Sequence, residues 1–370
     1  MTVPIARRNT MHQKGKLAMG VLSVAAALAM ILLVIGLRSG LYATLTAFTD
    51  NAGADLLVAQ GGVQGLFSSD SVVALDLHDR IKEATGAEEA GHIAVADIIF
   101  SRGETKTPVV MVGFEPDSGF GSPWDIGSGR MLTSDGEIML DSWLAERVGA
   151  AVGDRVEVLG REFTVVGLTQ GTASWMSPYI FVSLPAAGDL LGLSNVVSFH
   201  LLRFSPGTDV AAAAATIERD FSTVDALTPD EIAQSDQRVV ATIMDSPILI
   251  ILGISIVIGV AIMALSAYTS VSDRLREYGT LKAVGAGPAR LSQLVIQETL
   301  IQTVLGFAVG LLLAFTTANL IMGAWPQFTI LIEPSAILAL LALSLLMSVL
   351  AALMPIGRIR HIDPLLVFKR

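Results

Sequence analysis

Asp273, Arg274, Arg276, Glu277, Lys282 and Arg290 crowd one short stretch of this 370-residue chain. Asp273 with Arg276, and Arg274 with Glu277, place opposite charges three apart on a helix, while Asp273 and Glu277 repel at four apart. The pattern predicts a solvated helical turn rather than a closed ladder of ion pairs. Val284-Gly285-Ala286-Gly287-Pro288 then breaks the helix, because glycine accepts a left-handed turn and proline suits the first turn of the next helix. Leu291, Leu294, Val295 and Thr299 line one face of that second helix. A helix, a tight turn and a second helix carrying both signs of charge can bind a partner.

Other candidates for chemistry are sparse. The sequence has no Gly-x-x-x-x-Gly-Lys-Ser/Thr phosphate loop, no Gly-x-Ser-x-Gly and no His-Glu-x-x-His. It has no cysteine, which excludes disulfides and thiol nucleophiles. The chain is therefore expected to be non-catalytic. His12, His78, His92, His200 and His361 are scattered. His78, His92 and His200 with nearby carboxylates could hold a metal, but ordinary domain histidines are the commoner reading, and no metal or cofactor is expected. Glu298, with Gln297 and Gln302 beside it, falls at the entrance of an apolar run. An ionisable group at that depth either serves a pathway or pairs with a loop arginine. Gly306 and Gly310 form a Gly-x-x-x-Gly that lets helices approach closely, within one chain or between two copies. Trp124, Trp143 and Trp175, with Met131 and Met176, are either core or an exposed partner surface.

The elements that position these residues are mostly membrane helices. Apolar residues make up 52% of the chain and charged residues 16%, far from the usual soluble composition. Leu17–Leu37, Pro247–Ala267, Thr299–Met322 and Ser335–Ile356 hold no charged side chain, and each is long enough to span a bilayer, which takes about 20 residues. The net charge of −10 conceals a split: residues 39–246 carry 11 Lys+Arg against 29 Asp+Glu, and the remainder carries 13 against 5. Basic residues cluster at Arg7, Arg8, Lys14 and Lys16, in 271–293, and at Arg358, Arg360, Lys369 and Arg370. The positive-inside rule puts all three clusters in the cytoplasm, with Arg38 as the outlying exception. The domain plan is a cytoplasmic basic segment (1–16) suited to anionic lipid, a first transmembrane helix (17–38), an extracytoplasmic domain (39–246) and a second crossing (247–270). A cytoplasmic loop (271–293), a third crossing (294–322), a short external loop (323–334), a fourth crossing (335–356) and a cytoplasmic tail (357–370) complete it.

Within 39–246, residues 39–54 continue the first helix as a stalk. Strands are expected at 55–60, 90–102, 107–113, 137–140, 154–159, 162–168, 179–183, 198–204 and 223–227, with helices at 72–85, 142–148 and 209–221. Gly160-Arg161 reads as a two-residue hairpin turn. A strand–helix–strand unit opens the domain, a strand-rich insertion fills it, and a second such unit closes it. That order predicts an α+β fold of split βαβ type with an inserted β subdomain.

Arg274, Arg276, Glu277, Gly279, Leu281, Lys282, Ala283, Val284, Gly285 and Ala286 fall in the order of the cytoplasmic loop of FtsX/MacB-like ABC transporter permeases, which this chain resembles. The tail through Ile362-Asp363-Pro364 is similar to the end of that family's chains. The resemblance implies a membrane α-helical protein with four transmembrane helices and a large extracytoplasmic α+β domain of MacB-like periplasmic type, in the bacterial cytoplasmic (inner) membrane. It implies two copies, a separate ABC ATPase subunit that binds the ATP, and in some branches a membrane-fusion protein; no nucleic acid is expected. The loop would rest on the ATPase through Arg276, Glu277, Lys282, Gly285 and Ala286. DevC-like and heme-exporter-like four-helix members suggest export of a small amphipathic molecule by mechanotransmission. FtsX-like members suggest instead a signal transducer that activates an extracellular cell-wall hydrolase.

Overall fold

The computed structural model describes residues 14–66, 70–174, 177–193, 195–325 and 327–360. Arg7 and Arg8 of the basic segment, Trp175 and Met176, and the tail from residue 361 onward lie outside the described residues. The chain divides into two units. One runs from Leu41 to Met244 with a short piece of the 323–334 loop; the other holds the remaining helices.

Helix α1 (Lys14–Asn51) leads into the first unit. The unit opens with β1 (Leu56–Gln60), β2 (Val73–Ala74), α2 (Leu77–Thr85) and β3 (Glu89–Arg102). Its middle holds β4 (Thr105–Phe114), β5 (Ile126–Gly129), β6 (Glu137–Asp141), α3 (Ser142–Val148), β7 (Arg155–Val158), β8 (Arg161–Thr169), β9 (Ala173–Ser174), β10 (Ser177–Ser183) and α4 (Leu184–Leu191). It closes with β11 (Val196–Val197), β12 (Phe199–Arg203), α5 (Val210–Asp220) and β13 (Val224–Leu227).

Among the described residues the main sheet runs β13-β1-β12-β3-β4-β10-β6-β8-β5. Its first four strands pair antiparallel in the order of a split βαβ fold. Helices α2 and α5 cover one face of that part, burying Ile81, Ala213, Ile217 and Phe221 against Leu56, Val58 and Leu202. The insertion does not form a separate sheet. Long β3 and β4 pair from Ala94↔Gly113 to Arg102↔Thr105, and β4 then pairs parallel with β10. Alternate side chains of these strands enter opposite cores: Val110, Val112, Tyr179 and Phe181 on one face, Val109, Met111, Ile180 and Val182 on the other.

Three local expectations need correction. The helix expected from 72 starts at Leu77, because Val73–Ala74 pair with Val196–Val197. The hairpin turn is Leu159-Gly160, not Gly160-Arg161: Arg161 pairs with Val158, and Leu159 (φ 49°) and Gly160 (φ 84°) supply the two positive φ angles that a type I′ turn requires. Helix α4 was not anticipated from the sequence, although Ser183 accepts from the Ala186 N–H and Pro185 occupies its first turn, the ordinary start signal.

In the second unit, α6 (Pro229–Asp273), α7 (Leu275–Ala283), α8 (Pro288–Ala324) and α9 (Pro334–Arg360) join the first part of α1. Among the described residues, four helices are long and apolar enough to cross a membrane: Leu17–Asn51, Pro229–Asp273, Pro288–Ala324 and Pro334–Gly357. Val24, Leu28, Ile31 and Leu32 of α1 pack with Met263, Ala314, Leu340 and Met347 of the other three. Gly36 and Gly40 of α1 make a second four-residue glycine pair. A Cβ on Gly36 would lie 2.9 Å from Ile330 Cγ2, and the Leu331 N–H donates to the Gly36 carbonyl at 2.9 Å.

Candidate functional site

The charged stretch forms a helical hairpin. Helix α6 ends at Asp273, and Arg274 leaves helical geometry (φ −111°, ψ 18°) before α7 begins. At the far end of α7, the Gly285 N–H donates to the Lys282 carbonyl (3.1 Å) and the Ala286 N–H to the Leu281 carbonyl (2.9 Å). With Gly285 at φ 99°, this is a Schellman cap, in which one left-handed residue satisfies the last carbonyls of a helix. Gly287 then precedes Pro288 at the first turn of α8. Leu281 and Ala286 pack beside Val271, Tyr278, Leu291, Val295, Ala352 and Ile356. The hairpin is thereby seated on α8 and α9.

The expected solvated turn is only half present. Arg276 and Glu277 are exposed, Lys282 and Ala286 half-buried, and Val284 at the tip is 84% exposed. Arg274 is instead buried with Glu298, Nη1 to Oε1 at 2.9 Å. The helix break at Arg274 removes the i,i+3 geometry that would have paired it with Glu277. Ser270 donates to Glu298 Oε1 (3.0 Å), and the Tyr278 hydroxyl to Oε2 (3.4 Å). Glu298 thus accepts from the end of α6, the break and α7 while standing on α8. A buried ion pair adds little net stability, but losing one partner strands a charge. Its physical effect is to fix the hairpin in one seat. Gly306 and Gly310, about two and three turns beyond, meet α1: a Cβ on Gly306 would lie 2.6 Å from Val24 Cγ1, and one on Gly310 3.0 Å from the Ala25 carbonyl oxygen.

Helices α1 and α6 are joined within each unit. In the helical unit, Arg38 Nε and Nη2 donate to both Asp245 oxygens at 2.9 Å. That bidentate geometry explains the one basic residue that the charge rule left over. In the other unit, Phe48 at the end of α1 and Ile232 at the start of α6 enter the same core, Phe48 stacks on Tyr179 at 5.5 Å, and the Asp236 carboxylate accepts from the Leu66 N–H at 2.9 Å. Trp124 and Met131 pack against that core, and Trp143 lies under the Arg147 guanidinium. A cleft of about 540 Å³ runs between α1 and α6, lined by Leu17, Met19, Ile262 and Leu265 and, at its inner end, by Asp273 and Arg274.

The structure also gathers residues that the sequence scattered. His92 and His200 are register partners across β3 and β12, and His78, in the first turn of α2, lies against both, with ring centroids 5.0 and 5.7 Å away. Burial, and then the neighbouring His92, lower the pKa of His78; burial above all lowers that of His200 to about 4. His78 and His200 are therefore neutral near pH 7. The strand register, invisible in a linear spacing, is what brings them together.

Residues 18–220 match the family described as MacB-like periplasmic core domain, and residues 249–364 match the family described as FtsX-like permease C-terminal. An uncharacterized ABC transporter permease of Mycobacterium tuberculosis is 26% identical over 369 residues, covering 98% of both chains, and a second from that species is 24% identical over 367 residues with the same coverage. The crystal structure of the periplasmic region of MacB from Actinobacillus actinomycetemcomitans aligns with 51% of this chain and 95% of its own at 13% identity and a TM-score of 0.39.

Proposed function

Because the chain belongs to the FtsX/MacB-like family of ABC transporter permeases, we propose that it relays the motion of a separate ATPase to its extracytoplasmic domain. A permease of this family is in general a non-catalytic, multi-pass subunit of the cytoplasmic membrane, and it implies an ATPase partner. ATP is bound and split on that partner. Two copies of this chain would face two ATPases. The uncovered Leu249, Ile250, Ile254 and Val257 of α6 offer apolar area to lipid or to the second copy.

One observation carries the reading: the hairpin exposes Arg276, Glu277 and Val284 while its root is pinned by the buried Arg274–Glu298 pair. A contact surface held by a rigid root passes on a push instead of absorbing it. Helices α1 and α6 receive that push, and the Arg38–Asp245 pair supports their moving together. The cargo that this cleft fits is a small amphipathic molecule, since the lining is mostly apolar with charge at one end and the volume lies in the range of ligand sites, roughly 300–1,000 Å³. A membrane-fusion protein would continue the path outside.

The test is retention of the ATPase. Arg276→Glu and Glu277→Arg leave the backbone alone and reverse the contact charge, so each should cost about 2–5 kcal/mol of association where the charge is desolvated. Both variants are expected at normal levels in the membrane with little co-purified ATPase and no ATP-dependent export. Wild-type retention in both would reduce the hairpin to a connector.

A further inference from the structure

We propose that His78, His92 and His200 form a binding site for a divalent transition-metal ion, with zinc the best fit, on the extracytoplasmic domain. The inference is independent of how the permease couples to its ATPase.

Three observations converge. The candidate donor nitrogens of the three rings all lie within 4.8 Å of one another. The Nδ1 atoms of His78, His92 and His200 are each buried and have no hydrogen-bond partner; a buried polar atom left unpaired is costly and calls for an explanation. Two of the rings are also held in the right tautomer. His200 Nε2 lies 3.1 Å from the Ala74 carbonyl oxygen, and His92 Nε2 lies 3.2 Å from Glu115 Oε1. Both oxygens only accept, so each Nε2 carries the proton and each Nδ1 presents its lone pair. A ligating histidine that donates its other N–H to a carbonyl or carboxylate is the usual outer shell of a metal site.

The set selects the ion. Three imidazoles without a thiolate or an oxygen cage suit zinc and its neighbours in the transition series, not calcium or magnesium. Metal–nitrogen distances of about 2.0–2.1 Å require the rings to close in slightly, which His78 can do from the first turn of α2. Asp76, Asp79 and Glu115 give the surroundings a negative potential that favours a cation, with Lys82 opposing. Three protein ligands leave the fourth position of a tetrahedral ion to water or to an incoming group. The rings can therefore bind either as a structural clip between α2 and the sheet or as an acceptor for a ligand from a partner.

The experiment uses the full-length chain in detergent, purified through a tag without histidine and stripped with chelator. Titration with Co2+, then displacement by Zn2+, should give one equivalent per chain with the intense visible absorption of a tetrahedral site, and Zn2+ should raise the thermal midpoint while Mg2+ does not. His78→Ala is the primary variant, because it leaves the β3–β12 pairing intact. It should melt near the metal-free wild type and lose both the spectrum and the shift. Glu115→Gln should weaken binding by about 10-fold, the lower end for outer-shell changes. No stoichiometric binding by the wild type, or an unchanged spectrum in both His78→Ala and His92→Ala, would overturn the site.

Discussion

Arg274 reaches Glu298 across the foot of the hairpin, with the two side chains only 8% and 9% exposed. Glu298 also accepts from Ser270 and Tyr278, so the carboxylate joins α6, α7 and α8 at one point. Arg274→Ala, or Glu298→Gln, leaves the other partner unbalanced, and removing one member of a buried pair costs about 3–5 kcal/mol. Thermal unfolding of the purified permease should show a lower midpoint for each single change. Arg274→Met with Glu298→Leu should recover most of it, since an apolar pair of similar volume replaces a buried ion pair at little cost. Single variants as stable as wild type would contradict this geometry.

Gly285 stands at φ 99° with open space where a Cβ would project. Substitution there strains only the backbone, by about 1 kcal/mol or more for an ordinary residue and more for a β-branched one. ATPase retention should therefore fall in the order Gly, Asn, Ala, Val at position 285, at equal membrane levels. Equal retention by Gly285→Val and wild type would count against a working cap.

Gly306→Leu and Gly310→Leu press a side chain into Val24 and the Ala25 carbonyl. Overpacking of this kind costs about 1–3 kcal/mol. The expected signature is a reduced thermal midpoint with an unchanged oligomeric state, read by light scattering in detergent. A loss of dimer at an unchanged midpoint would assign the glycines to a seam between copies.

Glu137 accepts from Arg130 and from the Thr133 N–H, at 2.9 and 2.8 Å. The hydrogen bond from Arg130 is the largest cause that holds its pKa at about 2, below the ordinary 4.5. A depressed carboxylate stabilises the fold above its unfolded value and loses that contribution as pH falls through the folded one. The stability advantage of wild type over Glu137→Gln should be level above pH 4.5 and fade towards pH 2. An advantage independent of pH across that window would show that the charge is not its source.

The sequence made some of this legible and hid the rest for physical reasons. Long uncharged runs and charge asymmetry are local signals, and they located four crossings and the exterior domain. Most strands with β-branched alternation, and helices α2, α3 and α5, were likewise readable, whereas α4 was missed despite its cap. Pairing was not. The parallel contact of β4 with β10 joins residues some seventy apart, and no local pattern encodes it. Arg274 was read as solvated because spacing offered it Glu277, whereas the break in the helix hands it to Glu298, for which a loop arginine was one of the two expected roles. The histidine trio depends on which residue of β12 faces which residue of β3, and a one-residue slip would turn His200 to the opposite face of the sheet.

The contact of Gly306 and Gly310 with Val24 and Ala25 sets an order for biosynthesis. Helix α1 leaves the ribosome before the other three crossings, yet the glycines that close on it are made roughly 280 residues later, or about 14–56 seconds at 5–20 residues per second. During that interval the exterior domain can fold outside while α1 waits in lipid with the face of Val24, Ala25 and Leu28 bare. The helix that becomes best covered in the finished bundle is thus the nascent chain's longest-exposed membrane surface. A defect at this seam would leave an inserted chain whose crossings have failed to assemble, open to membrane quality control.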